Sequence, residues 1–89
     1  MVLGQVVGNV VATQKNEKLV GKKLLIVKAI DLEGKLLEPF VVAVDIVGVG
    51  IGEKVLIVNG SSARQTEDTK GISVDSVIVA KVDSMQVEL

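Results

Sequence analysis

Two short stretches hold the residue types from which a site could be built: Gly48-Val49-Gly50-Ile51-Gly52 and Gly60-Ser61-Ser62-Ala63-Arg64. Closely spaced glycines can form a phosphate cradle, and a serine flanked by glycine and small residues can sit on a nucleophile elbow. A dinucleotide-binding turn requires Gly-x-Gly-x-x-Gly between a strand and a helix whose N-terminus faces the pyrophosphate. Here the spacing is Gly-x-Gly-x-Gly, and the following Glu53-Lys54-Val55-Leu56-Ile57-Val58 reads as a strand. A P-loop would continue into Gly-Lys-Ser or Gly-Lys-Thr, and neither follows. A nucleophile elbow needs glycine where Arg64 stands and a histidine elsewhere, and the chain has no histidine. It has no cysteine either, which removes disulfides, thiolate catalysis and zinc-thiolate sites together. Asp31, Asp45, Glu53, Asp75, Asp83 and the lysines remain. Asp45, between Val44 and Ile46, is the carboxylate placed for a perturbed pKa, but the favoured reading is an acceptor of turn N–H groups or a partner of a basic residue. The planar guanidinium of Arg64 suits a neighbour's carboxylate or carbonyl better than a ligand phosphate. The expectation is a protein with no catalytic residue, cofactor or metal.

The elements that hold these stretches read as β-strands. Valine, the commonest residue, fits a pleated and half-buried surface. Residues 2–13 read as a first strand in which Gly4 and Gly8 mark a bend, a bulge or a close backbone approach. Residues 14–21 are a polar loop and residues 22–31 a second strand. Residues 31–35 form a turn with Gly34 at positive φ. Pro39 suits a strand start or an edge, and the third strand begins at Phe40 and runs to Val47. The fourth strand covers residues 55–58. After Gly60, Ser61 or Ser62 as N-cap opens one short helical turn. Residues 63–71 are the most polar part of the chain, 72–75 another turn, 77–85 the last strand, and 85–89 a tail. No linker or repeat divides the sequence, so residues 1–89 form one domain. Glycine-bent strands of this number make a small, partly open barrel the best reading, with a sandwich or an SH3-like barrel left open by pattern alone.

A chain of 89 residues buries only about 60 to 65% of its unfolded surface, yet 48% of this one is hydrophobic and Phe40 is its single aromatic residue. Leu24-Leu25-Ile26-Val27 and Val55-Leu56-Ile57-Val58 are apolar on both parities, so a barrel that fills its interior with one parity leaves the other for a neighbouring subunit. Ten basic and eleven acidic residues give a net charge of −1. With no basic groove and no aromatic platform, nucleic acid is not an expected partner. The first residues lack a basic n-region and no apolar run approaches the ~18 residues of a membrane helix, so neither a signal peptide nor a membrane partner is expected. Absence of cysteine fits a cytoplasmic protein.

Taken in order, Ala43-Val44-Asp45, Gly48-Val49-Gly50-Ile51-Gly52-Glu53 with Val55-Leu56, and Gly60-Ser61-Ser62-Ala63-Arg64 resemble the EutN/CcmL family, which forms the pentameric vertices of bacterial microcompartment shells. The likeness extends to residues 8–15 and 21–27 and to Val74-Asp75-Ser76-Val77-Ile78-Val79 with Val82-Asp83. Two positions depart from the family pattern: alanine is common where Val49 stands and an aromatic where Lys54 stands. The resemblance implies an all-β, five-stranded OB-like barrel with one short helical insertion, assembled as a cyclic homopentamer. It also implies hexameric shell proteins as partners and a place in a microcompartment shell within the cytoplasm. The Ser61-Ser62-Ala63-Arg64-Gln65 run is closer to metabolosome than to carboxysome members. Gly48, Val49, Gly50, Ile51, Gly52, Ser61, Ser62 and Arg64 are then expected at the five-fold axis or between subunits, with Val49 and Ile51 directing apolar side chains there. The alternative is an OB-like ligand- or nucleic-acid-binding module.

Overall fold

A computed structural model describes residues 1–13, 16–66, 69–70 and 74–88. Five strands, β1 (Val2–Val10), β2 (Lys23–Ile30), β3 (Leu36–Asp45), β4 (Lys54–Asn59) and β5 (Ser76–Val82), close into a barrel in the order β1-β2-β3-β5-β4. All neighbours are antiparallel except β3 and β5, which run parallel and meet only at Val44↔Val77 and Asp45↔Ile78.

Alternation along the strands sorts the side chains. Val6, Leu25, Val27, Ala43, Val55, Ile57 and Ile78 point inward and form the core, joined by Val49 from the loop between β3 and β4. Each large aliphatic side chain removed from water there contributes about 1.5 to 3 kcal/mol. The wall of so narrow a barrel must bend, and β1 does so with a register shift between Val6 and Gly8. At Gly4, a Cβ would lie 2.7 Å from Val27 Cγ1 and 2.9 Å from the Lys28 carbonyl oxygen, so only glycine lets β1 and β2 approach this closely.

A second, smaller cluster lies outside the barrel wall. Val44, Ala63 and Val77 are buried together, with Leu24, Ile46, Val58, Val74 and Val79 packed against them. Ala63 belongs to a 3₁₀ turn, Gly60–Arg64, that folds over the barrel surface. Of the outward residues on the two doubly apolar strands, Leu24 and Val58 pack against this cluster within the chain, while Ile26 and Leu56 do not belong to it. Within the strands, the exposed large hydrophobic residues lie on β3, at Leu36, Leu37, Phe40 and Val42.

Strand ends follow the lengths of their partners. β1 stops at Val10, opposite Leu24, rather than at Thr13, and β5 stops at Val82, opposite the first residue of β4, rather than at Met85. β3 begins at Leu36 rather than Phe40 because the preceding turn is closed tightly enough for Leu36 to pair with Ile30. Asp31 Oδ1 accepts the N–H groups of Glu33 and Lys35 there, and Gly34 takes φ +85° as expected. Pro39 lies in β3 where the pairing with β2 is irregular, a position that needs no N–H donor. A second 3₁₀ turn, Glu17–Leu19, occupies part of the expected loop; Asn16 caps it by accepting the Lys18 N–H at 2.9 Å. Part of the turn expected at residues 72–75 lies outside the described residues.

Candidate functional site

The loop from Ile46 to Glu53 is built by two carboxylates. Asp45, at the end of β3, accepts the N–H groups of Val47 and Gly48 at 2.9 Å through Oδ1 and that of Val49 at 2.8 Å through Oδ2. Its side chain has 0% exposure, and Lys23 Nζ lies 3.7 Å from Oδ2 while donating to the Val49 carbonyl. Burial pushes the Asp45 carboxyl toward the neutral form, but the three backbone N–H groups and Lys23 outweigh it and hold the pKa below the usual carboxylate value. The sequence expectation for Asp45, an acceptor in a turn and a partner of a basic residue, describes what the structure contains.

Glu53 closes the other end. Its Oε1 accepts the Gly50 N–H at 2.8 Å and its Oε2 pairs with Lys81 of β5 at 2.8 Å. The Lys81 contact, followed by the Gly50 N–H, lowers the Glu53 pKa, and Glu53 in turn raises that of Lys81. Main-chain bonds from Gly52 N–H to the Val6 carbonyl and from Val6 N–H to the Glu53 carbonyl tie the loop to β1. Gly48 and Gly52 adopt φ of +95° and +91°, a region that side-chain-bearing residues occupy only with strain. Gly50 does not, and a Cβ there would meet only Glu53 Oε1, at 3.5 Å.

The candidate residues therefore divide into two groups. Gly48, Val49, Gly50, Ile51 and Gly52 share this loop. Val49, expected to project toward an axis or a subunit contact, instead fills the chain's own core at 1% exposure. The Asp45 carboxylate and the left-handed Gly48 turn the chain inward at that point. Ile51 remains at the surface, at 64% exposure. Ser61, Ser62 and Arg64 belong to the 3₁₀ turn over the second cluster, which Ile46 links to the loop. The turn begins at Gly60, whose N–H donates to the Asp75 carbonyl, so neither serine serves as its N-cap. Ser61 is exposed, and the exposed Arg64 donates from Nη1 to the Val74 carbonyl at 3.0 Å.

The two carboxylates nearest the glycines are already engaged with N–H donors and lysines, so the loop is held in shape by the groups that a catalytic site would have to leave available. Among the described residues, no three His, Cys, Asp or Glu side chains come together as metal ligands do. Sequence reading missed Lys23 and Lys81 as parts of this arrangement, because both are contributed by strands remote in sequence.

Comparison with known proteins fits this architecture. A family model described as ethanolamine utilisation protein EutN/carboxysome matches residues 1–83. The carboxysome shell vertex protein CcmL of Nostoc sp. is 45% identical over 99% of this chain and 88% of its own length, and its solved structure superposes with a TM-score of 0.94. The microcompartment shell vertex protein PduN of Salmonella typhimurium is 43% identical over 96% of this chain and 98% of its own. The pentameric microcompartment shell protein GrpN of Rhodospirillum rubrum is 41% identical and superposes with a TM-score of 0.90, covering 99% of this chain and 100% of that one. Relatives from carboxysomes and from other microcompartments are thus about equally similar, and the metabolosome preference drawn from residues 61–65 gains nothing from them. The chain belongs to the EutN/CcmL family.

Proposed function

We propose that this protein is a structural vertex component of a bacterial microcompartment shell, in which five copies form a ring that fills a pentagonal gap between hexameric shell proteins. A sheet of hexagonal tiles closes only where pentagons introduce curvature, so such a protein acts by shape and needs no catalytic group. The observation that carries this reading is the match to a pentameric shell protein, GrpN, over 99% of this chain and 100% of that one. The Asp45 and Glu53 carboxylates beside the glycines are engaged in holding the loop's backbone, which suits a scaffold. In the ring, Gly48, Gly50, Gly52 and Ile51 lie at or near the five-fold axis, and Ser61, Ser62 and Arg64 lie toward a subunit boundary.

Native mass spectrometry of the purified chain should give a pentamer at micromolar concentration, and a monomer there would overturn the proposal. Co-expression with hexameric shell proteins should yield closed polyhedral particles that contain this chain. Particles of the same shape and closure in its absence would remove it from the vertices.

A further inference from the structure

We propose that residues 83–88 of one subunit add as a β-strand to the open edge of β3 in a neighbouring copy of the chain, seating an apolar side chain in the groove beside that edge. This rests on the ring proposed above and names the contact that closes it.

Among the described residues, neither half of the contact has a strand partner. After Val82 the sequence Asp83-Ser84-Met85-Gln86-Val87-Glu88 alternates polar and apolar residues from Ser84 onward, the period of a half-buried strand. Yet β5 ends at Val82, because its partner β4 begins opposite that residue at Lys54. Residues 83–88 make no backbone hydrogen bond to any described residue, and Met85 and Val87 are exposed. The segment has the pattern of a strand and no strand partner among the described residues.

β3 has the reverse defect. It pairs with β2 along nearly its whole length, but on its other side only Val44 and Asp45 meet β5. An antiparallel ladder engages the N–H and C=O groups of alternate residues, so those of the intervening residues in 36–43 face away from β2 with no strand partner among the described residues. Phe40 and Val42 are exposed along this stretch. Next to it lies a groove of about 170 Å³ walled by Leu19, Leu24, Val42, Val44 and Val74, with Asp75 and Ser76 at one side. Strand addition uses these two features together: main-chain bonds supply affinity and a pocket for alternate side chains supplies register.

The occupant is a second copy. β5 runs parallel to β3 with Val77 opposite Val44, so continuing past Val82 carries the chain away from residues 36–43. Val87 and Val42 are then about twelve residue steps apart, or roughly 40 Å at about 3.3 Å per residue. The longest dimension of the molecule is 45 Å. A segment at one end that fits an edge at the other is a heterologous contact, and repeated head to tail around the circumference it generates a ring. The segment also begins where the family-wide match, which ends at residue 83, stops.

The absence of cysteine makes a direct test clean. A tagged copy carrying Val42→Cys and an untagged copy carrying Val87→Cys are co-expressed, purified as an assembly, oxidised mildly and run on a non-reducing gel, with native mass spectrometry reporting the subunit count independently. The expected result is a covalent dimer of one tagged and one untagged chain inside pentamers. Pentamers without that dimer would overturn the strand-addition contact and leave the pentamer standing. Absence of pentamers from the unsubstituted chain would overturn the ring reading and this one with it. A second variant, Gln86→Pro, removes one N–H from the added strand and should raise the subunit concentration at half dissociation at least tenfold, with an unchanged circular dichroism spectrum. An unaltered dissociation profile in Gln86→Pro would overturn the proposal even if the cysteine variants assembled poorly.

Discussion

The loop after Asp45 and the strand edge leading up to it are consecutive in the chain and opposite in how they are satisfied. In the loop, three N–H groups end on the Asp45 carboxylate, one ends on Glu53, and Val49 plugs the core from above. Along β3, alternate backbone groups face away from β2, and Leu36, Leu37, Phe40 and Val42 are exposed. A region completed by its own chain has a fixed shape whether or not a neighbour is present. A region that is not completed gains stability only from a neighbour, at about 1.5 to 3 kcal/mol for each large apolar side chain covered. The difference assigns geometry to the loop and association energy to the edge, and each assignment can be broken separately.

The largest effect is expected from Gly50→Leu. Position 50 has no left-handed φ, and its Cβ would make only an ordinary contact with Glu53 Oε1, so the barrel should fold with an unchanged circular dichroism spectrum. Five such loops converging on an axis leave little room for leucine, and ring closure should be blocked or the central opening altered, as seen by native mass spectrometry and electron microscopy. Normal rings that still cap shells on co-expression would place the loop away from the axis. The same substitution at Gly48 would not serve, because its φ of +95° strains any side chain whether or not neighbours are present.

Asp45→Asn attacks the loop's internal completion instead. An amide keeps one acceptor oxygen but turns an NH₂ donor toward the N–H groups that the other carboxylate oxygen received, at a cost of about 1 to 3 kcal/mol. Urea unfolding at fixed subunit concentration measures it. The pH dependence gives the sign. The folded carboxyl lies below its ordinary value, so the unfolded state binds more protons in that window. The stabilisation is therefore complete above the unfolded pKa of about 3.9 and is lost as pH falls through the lower folded value. The asparagine variant should lose much of this acid sensitivity. A residual slope belongs to Glu53, lowered by Lys81, and to Asp31, lowered by the Lys35 N–H. Identical acid profiles in the two proteins would show that Asp45 does not organise the loop.

How much of this was legible follows the range of each interaction. The strands, the turn at Gly34, the 3₁₀ turn after Gly60 and the capping role of Asp45 depend on alternation and on neighbours a few residues away, and all can be read from the sequence. Family resemblance added the barrel order, because a parallel β3–β5 contact of two residue pairs leaves no periodic trace. The opposite fates of Val49 and Ile51 could not be read, since both stand between glycines in an apolar surrounding. Only the direction in which Asp45 and Gly48 turn the chain sends Val49 inward. The second cluster was hidden for a similar reason: Leu24 and Val58 look like residues awaiting a partner until Val44, Ala63 and Val77 are seen to gather beside them. The turn at Glu17–Leu19 did carry a local signal, the Asn16 cap, within a stretch whose polarity reads as loop.

Arg64 tests where the two regions meet, and its expected effect is the smallest. Its Nη1 holds the carbonyl of Val74, a residue in the wall of the groove beside the β3 edge, so its influence on assembly passes through that wall. Arg64→Ala removes one hydrogen bond worth about 1 kcal/mol, roughly a fivefold change in an equilibrium constant. If the bond only steadies a single chain, the loss should appear in unfolding at high dilution and leave ring dissociation as it was. If the wall matters to the neighbour, dissociation measured by sedimentation should rise about fivefold, and Arg64→Lys should restore it only in part, because lysine carries the charge without the planar fork that directs an N–H at the carbonyl. The second outcome is the expected one, since the groove wall is part of the face that a single chain leaves incomplete. Unchanged pentamers in both variants would confine Arg64 to its own chain and detach the 3₁₀ turn from the edge it adjoins.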